Sequence, residues 1–474
     1  MRKRKLILLL FCLFLFINGS AQVSKTVHVT TPGTLSTLLT PTELNSITNL
    51  TLTGDIDARD FQTMNIKIPA LASLNIEDVH IVSSEGLQGT GIALGLENAI
   101  PSGAFYDKKF LKSILLPKSA TSIEEMCFFN TSLSNINIPN SINKIGENAF
   151  YYCKKLKSLF IDDATVEIQG GAFSQCELLS DIHLGNNVIS IGGNAFNLCT
   201  LLTSFTVPNS VKMLGESVFW GCNGLKEIDI QAQINTLPNS IFNYCKNLTD
   251  IKILSPLDTI QPYAFGDCWS LKNIILPNSL KVIKSNALVN CKAITELNIP
   301  NSVNTIGDGA FGGCISLKKI TLPDAVSKLE SYTFNNCSAL DTIIVNSYKP
   351  FTTIPRYPMN ESKIFESINK SKCVLHVPYK ARKFYQAAND WKDFNNIIEK
   401  EYGVIPDTLN LNILPDEGAN GEINLVSNSS WTVRSDSPWL VVSPLSGTNN
   451  GKVSFVASAN DSIGTRIANI VLTD

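Results

Sequence analysis

Charge and chemistry are both scarce in this sequence. Only 17% of its 474 residues are charged, the formal net charge is −2, and no basic block occurs beyond the first few residues. A nearly neutral chain without a basic patch is not a nucleic-acid binder or a ligand for anionic membranes, since both select for a basic surface. There are four histidines, His28, His80, His183 and His376, and none has a partner at metal-ligand or catalytic spacing. No H-E-x-x-H, G-x-S-x-G or paired-carboxylate motif is present, so the reading is of a non-enzyme without cofactor or metal. Apolar runs long enough to span a bilayer are missing too. The longest, Leu6 to Ile17, follows Arg2-Lys3-Arg4-Lys5 and precedes Asn18-Gly19-Ser20-Ala21-Gln22. A cationic start, a short apolar stretch and small residues describe a secretory signal over 1–21, cut after Ala21. A lipoprotein leader ending at Cys12 fits less well, because Phe11 stands where a small residue is needed. The expectation is an exported chain at the cell surface or outside the cell, with the periplasm as the alternative. It makes no direct membrane insertion once the signal is removed.

What the sequence has in abundance is itself. Taking the Phe of an Ala-Phe pair as register, equivalent positions fall at Phe105, Phe128, Phe150, Phe173, Phe196, Phe219, Phe242, Phe265, Leu288, Phe311 and Phe334. Every step is 23 residues except 128 to 150, which is one shorter. Within a copy such as 301–323, "NSVNTIGDGAFGGCISLKKITLP", the segment "LKKITL" alternates outward and inward as one short strand, and Pro323 stops it. A single coil of this length cannot bury enough apolar surface to fold alone. Stacked coils can, because each strand pairs with its neighbours and each apolar column becomes continuous.

A cysteine stands three residues after the register position in nine consecutive copies, from Cys153 to Cys337. Equivalent side chains in a parallel stack point the same way, so their Cβ vectors do not face one another as a disulfide requires. Tetrahedral metal sites need cysteines paired a few residues apart, and none are. The plain reading is a buried, weakly hydrogen-bonding thiol that fills a turn. Cys127 and Cys373 lie outside the ladder, and Thr131 holds the slot in its first copy.

The pattern L-x-x-I-x-[IL]-P-N-S-V-x-x-I-G-x-x-A-F-x-x-C resembles the leucine-rich repeats of BspA-like bacterial surface proteins. Residues 22–100 are similar to that family's N-terminal cap, 101–345 to its repeats, and 346–400 to its C-terminal cap. In the last, a helix bearing Phe384, Tyr385, Trp391 and Phe394 would cover the open core. Residues 405–474 show short alternating runs between turns, as in an immunoglobulin-like sandwich. They resemble BACON-type modules, with Trp431, Trp439, Pro444, Gly447, Asn460 and Arg466 on the pattern and the final strand expected to be missing. The fold class is therefore a repeat solenoid, with a 23-residue period and one parallel strand per coil, followed by an all-β sandwich.

Outward strand positions of the solenoid form the candidate recognition face: Asp181, His183, Glu227, Asp229, Asp250, Lys252 and Glu296. Its plain reading is a solvated surface; its functional reading is contact with a partner that carries a basic patch. Trp431 and Trp439 are candidate glycan contacts, against the alternative that a Trp in a small sandwich is core. The resemblance implies adhesion to host matrix or cell-surface proteins. The alternatives are capture of a surface glycan through the sandwich and a structural role in the envelope.

Overall fold

The computed structural model describes residues 22–84, 95–354, 363–400, 404–406, 419–427, 429–458 and 466–473. The expected signal segment 1–21 and Asn460 lie outside the described residues.

The chain begins with three parallel strands, Ser24–Val29, Asn49–Ile56 and Ser73–Ile81, which pair in order and continue onto Ser113–Leu115. Asp60 organises the turn that leads into the coils. Its buried carboxylate accepts the N–H of Gly33 at 2.6 Å, Leu35 at 2.9 Å and Asp57 at 3.1 Å. Lys108 pins the end of the same helical segment: its Nζ donates to the carbonyls of Met64, Asn65 and Ile68 at 2.8, 2.6 and 2.6 Å. Burial pushes this ammonium down to about 8, yet three acceptors take all three of its N–H groups, which favours the charged form.

The coils then stack in register at the 23-residue step. Asp181 pairs with Ser158, for example, and Asp250 with Glu227. Sequence patterning gave one strand per coil; the structure has two. A second ladder of mostly two-residue strands runs through Ser122–Ile123, Lys144–Ile145 and Glu167–Ile168, and it resumes at Thr236–Leu237. Its interruption between Met213–Leu214 and Thr236–Leu237 has a local cause. Gly215 and Gln261 donate their N–H to the preceding coil (Ile191 and Leu237, at 2.8 and 3.0 Å), and the equivalent residue between them is Pro238, which has none to give.

Inside the coils the register phenylalanines form a spine. From Phe105 to Phe265 successive buried rings stack with centroids 4.9–6.0 Å apart. The turns around each ring need left-handed backbone two residues before and two after it. Asn148 and Tyr152, Asn194 and Leu198, and Ser217 and Gly221 all have φ between 54° and 68°. Most of these positions are not glycine, so neighbouring hydrogen bonds hold them in a conformation that costs L-residues about 1 kcal/mol.

The cysteine ladder is all free and buried. Each Sγ from Cys153 to Cys337 lies 3.0–3.4 Å from the carbonyl oxygen of the register residue one coil back, as Cys222 does from Phe196 and Cys314 from Leu288. The thiols are thus not only fillers: they are S–H donors that join adjacent coils. Thr131 takes the slot at the start and contacts Cys153 Sγ at 3.2 Å.

At the far end the helix is shorter than its aromatic pattern suggests, Arg382–Ala387. Trp391 and Phe394 lie beyond it, but both are buried and close an edge-to-face cluster with Phe365. Tyr385 is buried too and donates its hydroxyl to Ser347 O at 2.8 Å, whereas Phe384 is only half-buried. Strands Val374–Val377 and Asn396–Glu399 extend the ladder past the last repeat. Further on, Val404–Pro406, Asn420–Ser427, Gly451–Ala457 and Leu440–Ser443 form one antiparallel sheet. Ser446–Thr448, Ser430–Ser435 and Ile470–Thr473 form another. Both contribute to a core of their own around Trp431, Val433, Leu440, Val453 and Phe455.

Candidate recognition face

Period-two alternation decides which side chains reach the solenoid surface. Along Ser204–Val207, Glu227–Ile230 and Asp250–Ile253 the middle inward residues are Phe205, Ile228 and Ile251, and the residues flanking them point out. Phe205 is the anomaly, since that column is otherwise aliphatic. Its ring wedges between the spine rings of Phe196 and Phe219, at 5.1 and 4.7 Å, where the spine takes its longest step, 6.0 Å. The strand ladder breaks at the same coil: Asp181–His183 belongs to one sheet and Ser204–Val207 to the next. The ring coincides with the break but is not required for one, since the ladder is interrupted again after Asp250–Ile253, where the column residue is the aliphatic Ile274.

An open trough of about 690 Å³ lies across this break. It brings together five of the sequence candidates, His183, Glu227, Asp229, Asp250 and Lys252, with Ser204 and Thr206 between them. Asp181 is exposed on the strand beside it but does not line it. Glu296 is remote from it, paired with Lys319 at 3.0 Å. The wall at His183 is aromatic, because its ring stacks on Phe160 at 4.7 Å and 13°. Phe160 is 48% exposed and was not among the sequence candidates, although its outward position was legible.

Two features of the trough are electrostatically unfavourable in the free protein. Glu227 and Asp250 are direct ladder partners, and like charges in that position repel. Asp229 is half-buried; its Oδ2 accepts from Gln231 Nε2 at 2.9 Å, while its Oδ1 is buried with no hydrogen-bond partner among the described residues. A carboxylate oxygen left in that state is costly. A cationic group docking at the surface relieves the first; Asp229 faces Lys252 on the next strand, and its enclosed Oδ1 is not reached from outside.

The C-terminal tryptophans separate. Trp431 is 3% exposed, its ring lies against Gly447 and Gly451, and its Nε1 donates to Asn449 O at 2.8 Å. It is a core residue and has no face to offer a sugar, which corrects its reading as a glycan contact. Trp439 is half-buried, with the Arg466 guanidinium 4.4 Å from its ring centroid. Among the described residues no group of three or more His, Cys, Asp or Glu is placed to hold a metal ion. The ladder thiols are poor nucleophiles, since burial pushes Cys153 up to about 11 and Cys222 to about 12. No helix among the described residues is long and apolar enough to cross a membrane.

Comparison with known proteins agrees with this architecture. The profile of the BspA type leucine rich repeat region matches in six copies, over residues 98–223, 166–295 and 282–381. That of the viral BACON domain matches 402–472. Among solved structures, a leucine-rich repeat protein from Bacteroides ovatus is 22% identical with a TM-score of 0.49, over 65% of this chain and 84% of that one. The pneumococcal vaccine antigen PcpA is 18% identical with a TM-score of 0.38, over 75% and 80%. The Treponema pallidum leucine rich repeat protein, T. pallidum TpLRR, is 27% identical with a TM-score of 0.28, over 32% and 70%. No curated protein matches the chain. With the repeat profile covering more than half of its length, the chain belongs to the BspA-type leucine-rich repeat proteins.

Proposed function

We propose that this is an exported, non-catalytic recognition protein that binds a host matrix or cell-surface protein through the solenoid face. Residues 22–400 act as the capped binding body, and 405–474 form an immunoglobulin-like appendage. The observation that carries the reading is the trough at the ladder break, where Glu227 and Asp250 sit side by side. A lysine or arginine of the partner would relieve that repulsion, and the ring of His183, stacked on Phe160, stands beside the carboxylates. Leucine-rich-repeat and BACON families are generally non-catalytic binding modules, and BspA-like proteins are typically found at the surface or secreted, which supports the class.

The test is charge reversal in the full chain. Glu227→Lys with Asp229→Lys should weaken binding to a basic protein partner at least tenfold in low salt, with a smaller loss at high salt, where screening already weakens the wild type. Affinity unchanged by the reversal would reject the trough as the contact.

A further inference from the structure

A second concavity lies where the N-terminal cap meets the first coil, and the recognition face does not account for it. Tyr106, Phe129 and Tyr151 stack coil upon coil beside the buried spine, with centroids 4.6 and 5.4 Å apart and planes within 11°. Tyr106 is the first ring of that column and is 46% exposed. Phe129 covers one of its faces, and the residue lines a groove of about 340 Å³ against the cap. The groove's polar lining is Gln62, Asn65, Ser102 and Glu125. Among the described residues, the side chains of Gln62, Ser102 and Glu125 make no hydrogen bond, while Asn65 Nδ2 only reaches Tyr106 O at 3.4 Å. Its apolar lining includes Ile66, which is 66% exposed.

The groove is a built feature. Lys108, itself buried, clamps the carbonyls of Met64, Asn65 and Ile68, so the backbone carrying Asn65 and Ile66 is fixed relative to Tyr106 two residues before that lysine. We propose that this groove binds a neutral pyranose, its apolar face on the ring of Tyr106 and its hydroxyls on the amides of Gln62 and Asn65 and on Ser102 and Glu125. The lining chemistry selects this class. An aromatic face ringed by groups that both donate and accept suits a polyhydroxylated ring with one apolar side. No lysine or arginine lines the groove, so phosphates, sulfates and carboxylates have no counter-charge, and Glu125 repels acidic sugars. The site is separate from the trough and from the C-terminal tryptophans.

Titration calorimetry and saturation-transfer NMR of the full chain would test this with glucose, galactose, mannose, N-acetylglucosamine and their short oligomers. Sialylated and sulfated oligosaccharides are the acidic controls. The expected result is saturable binding of at least one neutral sugar, with Kd on the order of a millimolar for a single ring. Tyr106→Ala should lose about tenfold, whereas Tyr106→Phe, which keeps the ring, and Trp439→Ala should leave affinity unchanged. Ser102→Phe, which fills the groove from its other wall, should abolish binding. It serves as the independent variant if Tyr106→Ala exposes the ladder thiols and so reports misfolding. No saturable binding by any neutral sugar overturns the proposal. So does binding that survives both groove variants, or that prefers the acidic controls.

Discussion

Mild alkali should unfold this protein, because its eleven described cysteines are all buried and free. In the folded chain burial pushes these thiols up from 9.0, to about 11 for Cys153 and about 12 for Cys222, Cys337 and Cys373. In the unfolded chain they ionise near the ordinary value. The folded state therefore holds more protons above that value. Stability is complete below pH 9 and is lost as pH rises toward the folded values. One unit above the unfolded value each thiol lowers stability by about 1.4 kcal/mol, so the four raised to about 11 or 12 remove roughly 5 to 6 kcal/mol by pH 10, and the other seven act in the same direction. Those four alone match the lower end of an ordinary domain's stability. Lys108, lowered to about 8, works in the opposite direction, but it is a single group. Urea unfolding followed by circular dichroism, in reductant, should show the midpoint collapsing between pH 8.5 and pH 10, with at least about four protons released per chain at the upper end. Replacing Cys222, Cys337 and Cys373 by Ser should remove about three of those protons. A midpoint unchanged between pH 7.5 and pH 10, or a release of only one or two protons, would refute the buried-thiol account.

Other consequences follow from the same contacts. A thiol reagent should modify none of the buried ladder in the native chain at neutral pH, and nearly all of it in urea without reductant; fewer than four free thiols in urea would contradict the free ladder. Lys108→Met removes the donor for three carbonyls and should destabilise the N-terminal cap by about 3 kcal/mol, seen as faster hydrogen exchange over residues 63–68. Unchanged exchange there would show that the lysine is not the clamp. Gly221 has φ 68°, and a Cβ on it would stand 2.6 Å from Leu198 Cδ2, so Gly221→Ala should cost at least about 1 kcal/mol in thermal unfolding. A neutral result would mean the turn can relax.

The solenoid was legible because its signal repeats. A 23-residue step kept from Phe150 to Phe334 fixes the strand register before any contact is known, and the outward residues of each strand follow from alternation. The second ladder was not legible, since strands such as Ser122–Ile123 are too short to alternate. The trough was half visible. The charges of Glu227, Asp229 and Asp250 could be placed on one face, but the ladder break beside them, where Phe205 packs against Phe196 and Phe219, is a packing outcome that alternation does not show. Trp431 is the opposite case. In "SWTVRS" the alternation that turns Val433 inward turns Trp431 inward too, so its burial was available from the strand alone.

If the proposed function is right, recognition resides in the solenoid and not in the C-terminal sheets. Binding of the separate fragments 23–400 and 405–474 to one panel of matrix and cell-surface proteins tests it most directly. The long fragment should keep the full chain's affinity and its salt dependence, while the short one should bind no protein. Protein binding carried by the short fragment, or lost from the long one, would contradict it.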